Sequence, residues 1–184
     1  MKNMKKIVAL LSFFVIAGTS TLIAQTSSNA TLNVRLHPIQ TIVVNPAQNE
    51  VNLDYITETD YANGVSTEQK DHLTIYSTGA FVVKANSSSS SLESNHQDIT
   101  ESIDASDILI TPQQGSNQLS GATFTPINLS DQAQSIISNS TGGVDRTFNI
   151  NYTGAGGNSY VNKFFNIENP TVYTTTVIYT IEAQ

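Results

Sequence analysis

Between positions 54 and 63 the chain carries Asp54, Glu58, Asp60 and Asn63, with Gly64 following. Oxygen-bearing side chains grouped in this way are the chemistry from which a hard cation such as calcium is held. Their spacing departs from the D-x-[DN]-x-[DN]-G order of the common calcium loop, so the reading taken is no metal and a solvated acidic loop, with these four residues as the alternative cation set. A second acidic series, Asp98, Glu101, Asp104 and Asp107, recurs at every third residue and reads the same way. The three histidines, His37, His72 and His96, share neither a strand nor a metal-ligand spacing, and His37 and His72 sit beside strand starts as surface residues. Cys is absent, which removes thiol nucleophiles and thiolate metal sites. There is no G-x-S-x-G, H-E-x-x-H, P-loop or G-x-G-x-x-G. No catalytic residue and no cofactor are therefore expected.

The elements that must carry these residues begin after an address segment. Lys2, Lys5 and Lys6 precede the apolar run from Ile7 to Ile16, and small residues lead to Leu22-Ile23-Ala24. That order predicts a secretory signal peptide over residues 1–24, cleaved between Ala24 and Gln25. The apolar run is half the roughly 20 residues a membrane-spanning helix needs, and no membrane span is expected in the mature chain. Cleavage leaves five basic residues, Arg35, Lys70, Lys84, Arg146 and Lys163, against fifteen acidic ones, a net charge of about −10. Such a surface disfavours nucleic acid and anionic lipid as partners. Export without Cys points to the periplasm or cell surface of a Gram-negative bacterium.

The mature sequence reads as strands nearly throughout. Ser, Thr, Asn and Gln make up 72 of the 184 residues, a composition suited to strand faces and turns rather than to exposed helix. Period-two runs occur at Leu32-Val34-Leu36, Ile39–Val44, Val51-Leu53-Tyr55, Leu73–Tyr76, Phe81–Lys84, Ile108–Ile110, Ala122–Ile127, Gln134–Ser138, Thr147–Tyr152 and Thr171–Ile181. Pro38 implies an edge or a bend, Ser77-Thr78-Gly79 reads as a hairpin turn, and Pro112 and Gly115 as a strand stop. Residues 57–71 read as an acidic loop and 92–107 as a solvated connection. The prediction is an all-β, antiparallel Ig-like sandwich of about 7–10 strands, with residues 25–31 flexible and 32–184 a single domain.

The two ends carry the strongest interaction signal. Leu32, Val34 and Leu36 form one apolar stripe, and Tyr173, Val177, Tyr179 and Ile181 another. Alternating terminal segments of this kind are able to complete a neighbour's sheet. With the leader peptide, the Cys-free Thr/Asn-rich body and the terminal run Tyr173–Ile181, the chain resembles secreted Ig-like subunits of bacterial surface fibres, the chaperone–usher pilins and spore-coat-U-like proteins. The resemblance implies an incomplete sandwich, export to the periplasm, and polymerisation by exchange of an N-terminal donor strand. The chain departs from the pattern in lacking a disulfide, in placing Pro170-Thr171 before the last strand, and in limiting a donor segment to three apolar positions before Pro38. The expected function is that of a non-enzymatic structural or adhesive surface protein, with copies of itself or other surface subunits as partners through strand pairing. The alternative is a periplasmic or extracellular module that binds a glycan or small ligand.

Overall fold

Runs of Val, Ile, Thr, Tyr and Phe at alternate positions favour extended backbone, because their side chains pack well on a pleated face and lose little freedom there. A computed structural model describes residues 26–184, and these runs form antiparallel ladders packed face to face, an all-β sandwich. The leader and its cleavage position lie outside the described residues. Leu36–Gln184 makes one compact unit, and residues 26–35 are not part of it.

Twelve strands occur among the described residues, more than the sequence suggested because several contain only two or three residues. They are β1 (Gln40–Val44), β2 (Ser66–Ser77), β3 (Phe81–Ser87), β4 (Ser91–Ser94), β5 (Ser102–Asp104), β6 (Leu109–Gln114), β7 (Thr123–Phe124), β8 (Ile127–Asn128), β9 (Gln134–Asn139), β10 (Gly143–Thr153), β11 (Tyr173–Thr174) and β12 (Val177–Ala183). One sheet has the order β1-β2-β10-β6-β8, the facing sheet β12-β3-β9-β7, and a small third sheet β11-β4-β5. The core lies between the two larger sheets. Leu73 and Ile75 of β2, Ile110 of β6 and Phe148 and Ile150 of β10 meet Phe81 and Val83 of β3 and Ile136 and Ile137 of β9 there, all at 1% exposure or less.

Several sequence expectations are corrected. The run Leu32-Val34-Leu36 forms no ladder; the first begins at Gln40, two residues beyond Pro38, whose missing N–H cannot join one. Val51-Leu53-Tyr55 keeps alternating burial without pairing. Ser77-Thr78-Gly79 is not a hairpin turn but a corner that carries the chain from one sheet to the other. The reason is occupancy: β2 already has β1 on one side and β10 on the other, leaving β3 no edge to pair with. Residues 57–71 hold a short helix, α1 (Glu58–Asn63), and the first half of β2 rather than a loop. The 92–107 connection contains β4 and β5, so its four carboxylates do not share one helical face. Pro112 sits inside β6, opposite Ile150, at a position where β8 no longer pairs on the other side. The last run is split, with Tyr173–Thr174 in the small sheet and Val177–Ala183 paired to β3.

The sheet-crossing corner has little room. A β-carbon at Gly142 would collide with the carbonyl oxygen of Ser77 and crowd the amide of Gly79, both backbone atoms of that corner. Gly142→Ala is expected to lower unfolding stability by about 2 kcal/mol or more, because neither atom is the mobile end of a side chain. Urea titration checks this, and an unchanged midpoint would mean that the corner yields easily.

Candidate functional site

The acidic candidates are positioned by local backbone chemistry. Thr57 caps α1: its hydroxyl accepts from the Asp60 amide at 3.3 Å, while the Asp60 carboxylate accepts from the amides of Thr57 at 2.7 Å and Ile56 at 2.9 Å. This reciprocal pair satisfies amides that a helix start leaves open. The same bonds, those from Thr57 first, hold the Asp60 carboxyl below the usual range. Asp54, Glu58 and Asn63 are exposed. Among the described residues, no three acidic or histidine side chains gather closely enough to hold a metal ion. The alternative cation set is therefore not brought together, and Asp60 is committed to the helix cap.

The two terminal stripes differ in their state. Tyr173, Val177, Tyr179 and Ile181 all point to the half-buried side of their run, and the last three pack on the core. β12 is an edge strand, paired on one side only, and Lys84 of β3 reaches across to Glu182 at 2.6 Å. Leu32, Val34 and Leu36 are instead 88%, 78% and 89% exposed.

His72 overturns the surface expectation, since it is only 1% exposed. The cause is an irregularity that period-two reasoning does not foresee. Phe148 pairs with Leu73 and Ile150 with Gln69, so two steps along β10 match four along β2. Asp71 takes up the slack with φ of 49°, a left-handed conformation that Asp tolerates better than most residues. Its amide donates to the Asn149 side chain at 2.8 Å, and its carboxylate accepts from the Ser116 amide and hydroxyl, each at 2.7 Å. These bonds, that from the Ser116 amide foremost, hold the Asp71 carboxyl below the usual range. Beyond this bend, His72 and Leu73 are buried in succession.

Inside, His72 joins a chain of hydrogen bonds. Gln48 lies 3.0 Å from Nδ1, the Tyr152 hydroxyl 2.9 Å from Nε2, and the Tyr179 hydroxyl 2.6 Å from that of Tyr152. Burial favours the uncharged form of each group: it lowers the His72 pKa, pushes Tyr152 up to about 12, and raises Tyr179 well above its ordinary value. The chain borders a cleft of about 510 Å³, also lined by Val44, Val51, Leu53, Leu92, Ile108, Leu129 and Val177. Tyr173, Val177 and Tyr179, read from sequence as interaction residues, thus share this cleft. His72, Gln48 and Tyr152 were missed because the only local signal is an Asp able to adopt a left-handed turn.

A second, more open depression of about 630 Å³ lies beside α1, with Tyr61, Tyr160, Phe164, Asn158, Asn162 and Glu58 among its walls. Tyr55 supports it from within, its ring centroid 5.5 Å from that of Tyr61 and 5.0 Å from that of Tyr160. The cleft offers mostly apolar and aromatic walls with neutral hydrogen-bonding groups, and the depression offers aromatic rings with amides and the Glu58 carboxylate, chemistry suited to binding. No protein-family model matches the chain, and a search of curated proteins finds no match.

Proposed function

We propose that the chain is a secreted, non-enzymatic structural or adhesive component of a Gram-negative surface, a fimbria-like subunit that assembles through sheet edges. The observation that carries this reading is the state of Leu32, Val34 and Leu36: alternate apolar side chains, nearly fully exposed, on a segment with no ladder partner among the described residues. Such a stripe loses its contact with water when it adds a strand to another chain's sheet. At about 25 cal/mol per Å², burying each of the three side chains contributes roughly 1.5–3 kcal/mol before ordering costs. The edge strands β1 and β12 offer the backbone groups needed for pairing. The strongly acidic surface is consistent with work outside the cell and away from nucleic acid.

The test is size-exclusion chromatography of the exported chain with SDS gels of unheated samples. A ladder of SDS-resistant multimers is expected, collapsing to monomer when residues 25–37 are deleted. A monodisperse monomer from the undeleted chain would sink the assembly reading.

A second reading, a periplasmic or extracellular binding module, is supported by the depression beside α1. Tyr61 and Phe164 present ring surface there, and the side chains of Asn158 and Asn162 lie beside them. Rings with amides around them suit a neutral sugar or another small uncharged ligand.

A further inference from the structure

The direction of every hydrogen bond in the buried chain is fixed from one end. The Gln48 amide nitrogen donates to the Lys70 carbonyl at 2.9 Å, and a carbonyl only accepts. Gln48 therefore turns its oxygen to His72, so Nδ1 must carry a proton and donate to it. Burial keeps the ring neutral, so Nε2 has no proton and accepts from the Tyr152 hydroxyl. That uses the single proton of Tyr152, and the 2.6 Å contact with Tyr179 is made by the Tyr179 hydroxyl donating. Tyr179, at the cleft wall, is left with lone pairs and no proton to give. The residues lining the cleft include no Asp, Glu, Lys or Arg, and most are aliphatic or aromatic.

From this arrangement we propose that the cleft between the sheets binds a small, neutral, mostly apolar molecule carrying one hydroxyl or N–H, which it donates to the Tyr179 oxygen. The volume falls in the range of small-molecule sites. A molecule that offers only acceptors sets its lone pairs against those of Tyr179 and leaves them unpaired. An anion meets no cation and loses its hydration on entry. The proposal goes beyond the depression beside α1 to a second cavity with no lining residue in common; it needs no assembly.

The experiment titrates the purified chain with 1-naphthol, 1-methoxynaphthalene and 1-naphthoate, following probe fluorescence and amide NMR shifts. The expected result is one-to-one binding of 1-naphthol, with shifts centred on Val51, Leu53 and Tyr179. The methyl ether and the anion should each bind about tenfold more weakly or worse. Tyr179→Phe is expected to bring naphthol and its ether to similar affinity. Val51→Trp, on a segment outside any ladder, is expected to fill the cleft and abolish binding of both, with the far-ultraviolet spectrum unchanged. Equal affinity of naphthol and ether in the unaltered chain overturns the donor rule while leaving the binding-module reading intact. A naphthol preference that survives Tyr179→Phe overturns the role given to Tyr179. Absence of shifts with all three probes overturns the cleft site, and absence with cellohexaose as well overturns the module reading.

Discussion

Phe148→Ala is expected to destabilise the sandwich by about 3–5 kcal/mol. Phe148 is fully buried at the centre of β10, where its backbone neighbours are Leu73 of β2 and Gln114 of β6. Its ring meets that of Phe124, on β7 of the facing sheet, at a centroid distance of 6.0 Å and a tilt of 59°. Truncation therefore removes a contact that joins the two sheets and leaves a void under β10, which is held on both sides by its ladders to β2 and β6 and cannot easily close inward. Domains of this size are stable by about 5–15 kcal/mol in total, so the loss is a large share. Urea unfolding should show a lower midpoint at unchanged slope. A loss below about 1 kcal/mol would show that the two sheets are not held by this contact.

Acidification is expected to weaken the fold through His72. Burial lowers its folded pKa below the ordinary value near 6.5, so the unfolded chain takes up a proton that the folded chain resists. Stability from this source is complete above about pH 6.5. It falls as pH drops toward the lowered folded value, by up to about 1.4 kcal/mol per pH unit. His72→Gln keeps one donor and one acceptor for Gln48 and Tyr152 but does not titrate. The difference between the two stability profiles from pH 7.5 to 5 thus isolates the imidazole. The carboxyls of Asp60 and Asp71, held low by backbone amides, act at more acidic pH and appear equally in both. Parallel profiles would mean that His72 is protonated as readily inside the fold as outside it.

What the sequence discloses, and what it hides, follows from the range of the interactions involved. β-branched alternation located β1, β3, β9 and β10 to within a few residues, because each face is set by its own residues. Pro38 marked the start of an edge strand for the same reason. Helix α1 carried a readable local sign, Thr57 three residues before Asp60, outweighed by the acidic composition around it. The corner at Ser77–Gly79 was hidden, since Leu73, Ile75 and Ser77 before it and Phe81, Val83 and Ala85 after it give the same pattern whether the chain turns back or crosses over. Only the long-range pairing of β2 with β10 decides. The candidate site was hidden more deeply. His72, Tyr152, Tyr179 and Gln48 come from separate elements, and the inward turn of His72 depends on Asn149 and Ser116 holding Asp71 in place.

The same long-range pairing has a kinetic side. Lys84 and Glu182, joined across β3 and β12, are 98 positions apart, and Ser66 bonds to Asn151 from 85 positions away. Few of the principal ladders join strands that follow one another directly, so little of either large sheet gains stability from local contacts as folding begins. Closing loops of this length costs entropy before any pairing offsets it. Refolding on the millisecond-to-second scale of high contact-order proteins is expected, rather than the microseconds of helical bundles. Until β12 arrives from the far end of the chain, one side of β3 remains an unpaired edge, the kind of surface on which strands of other chains pair.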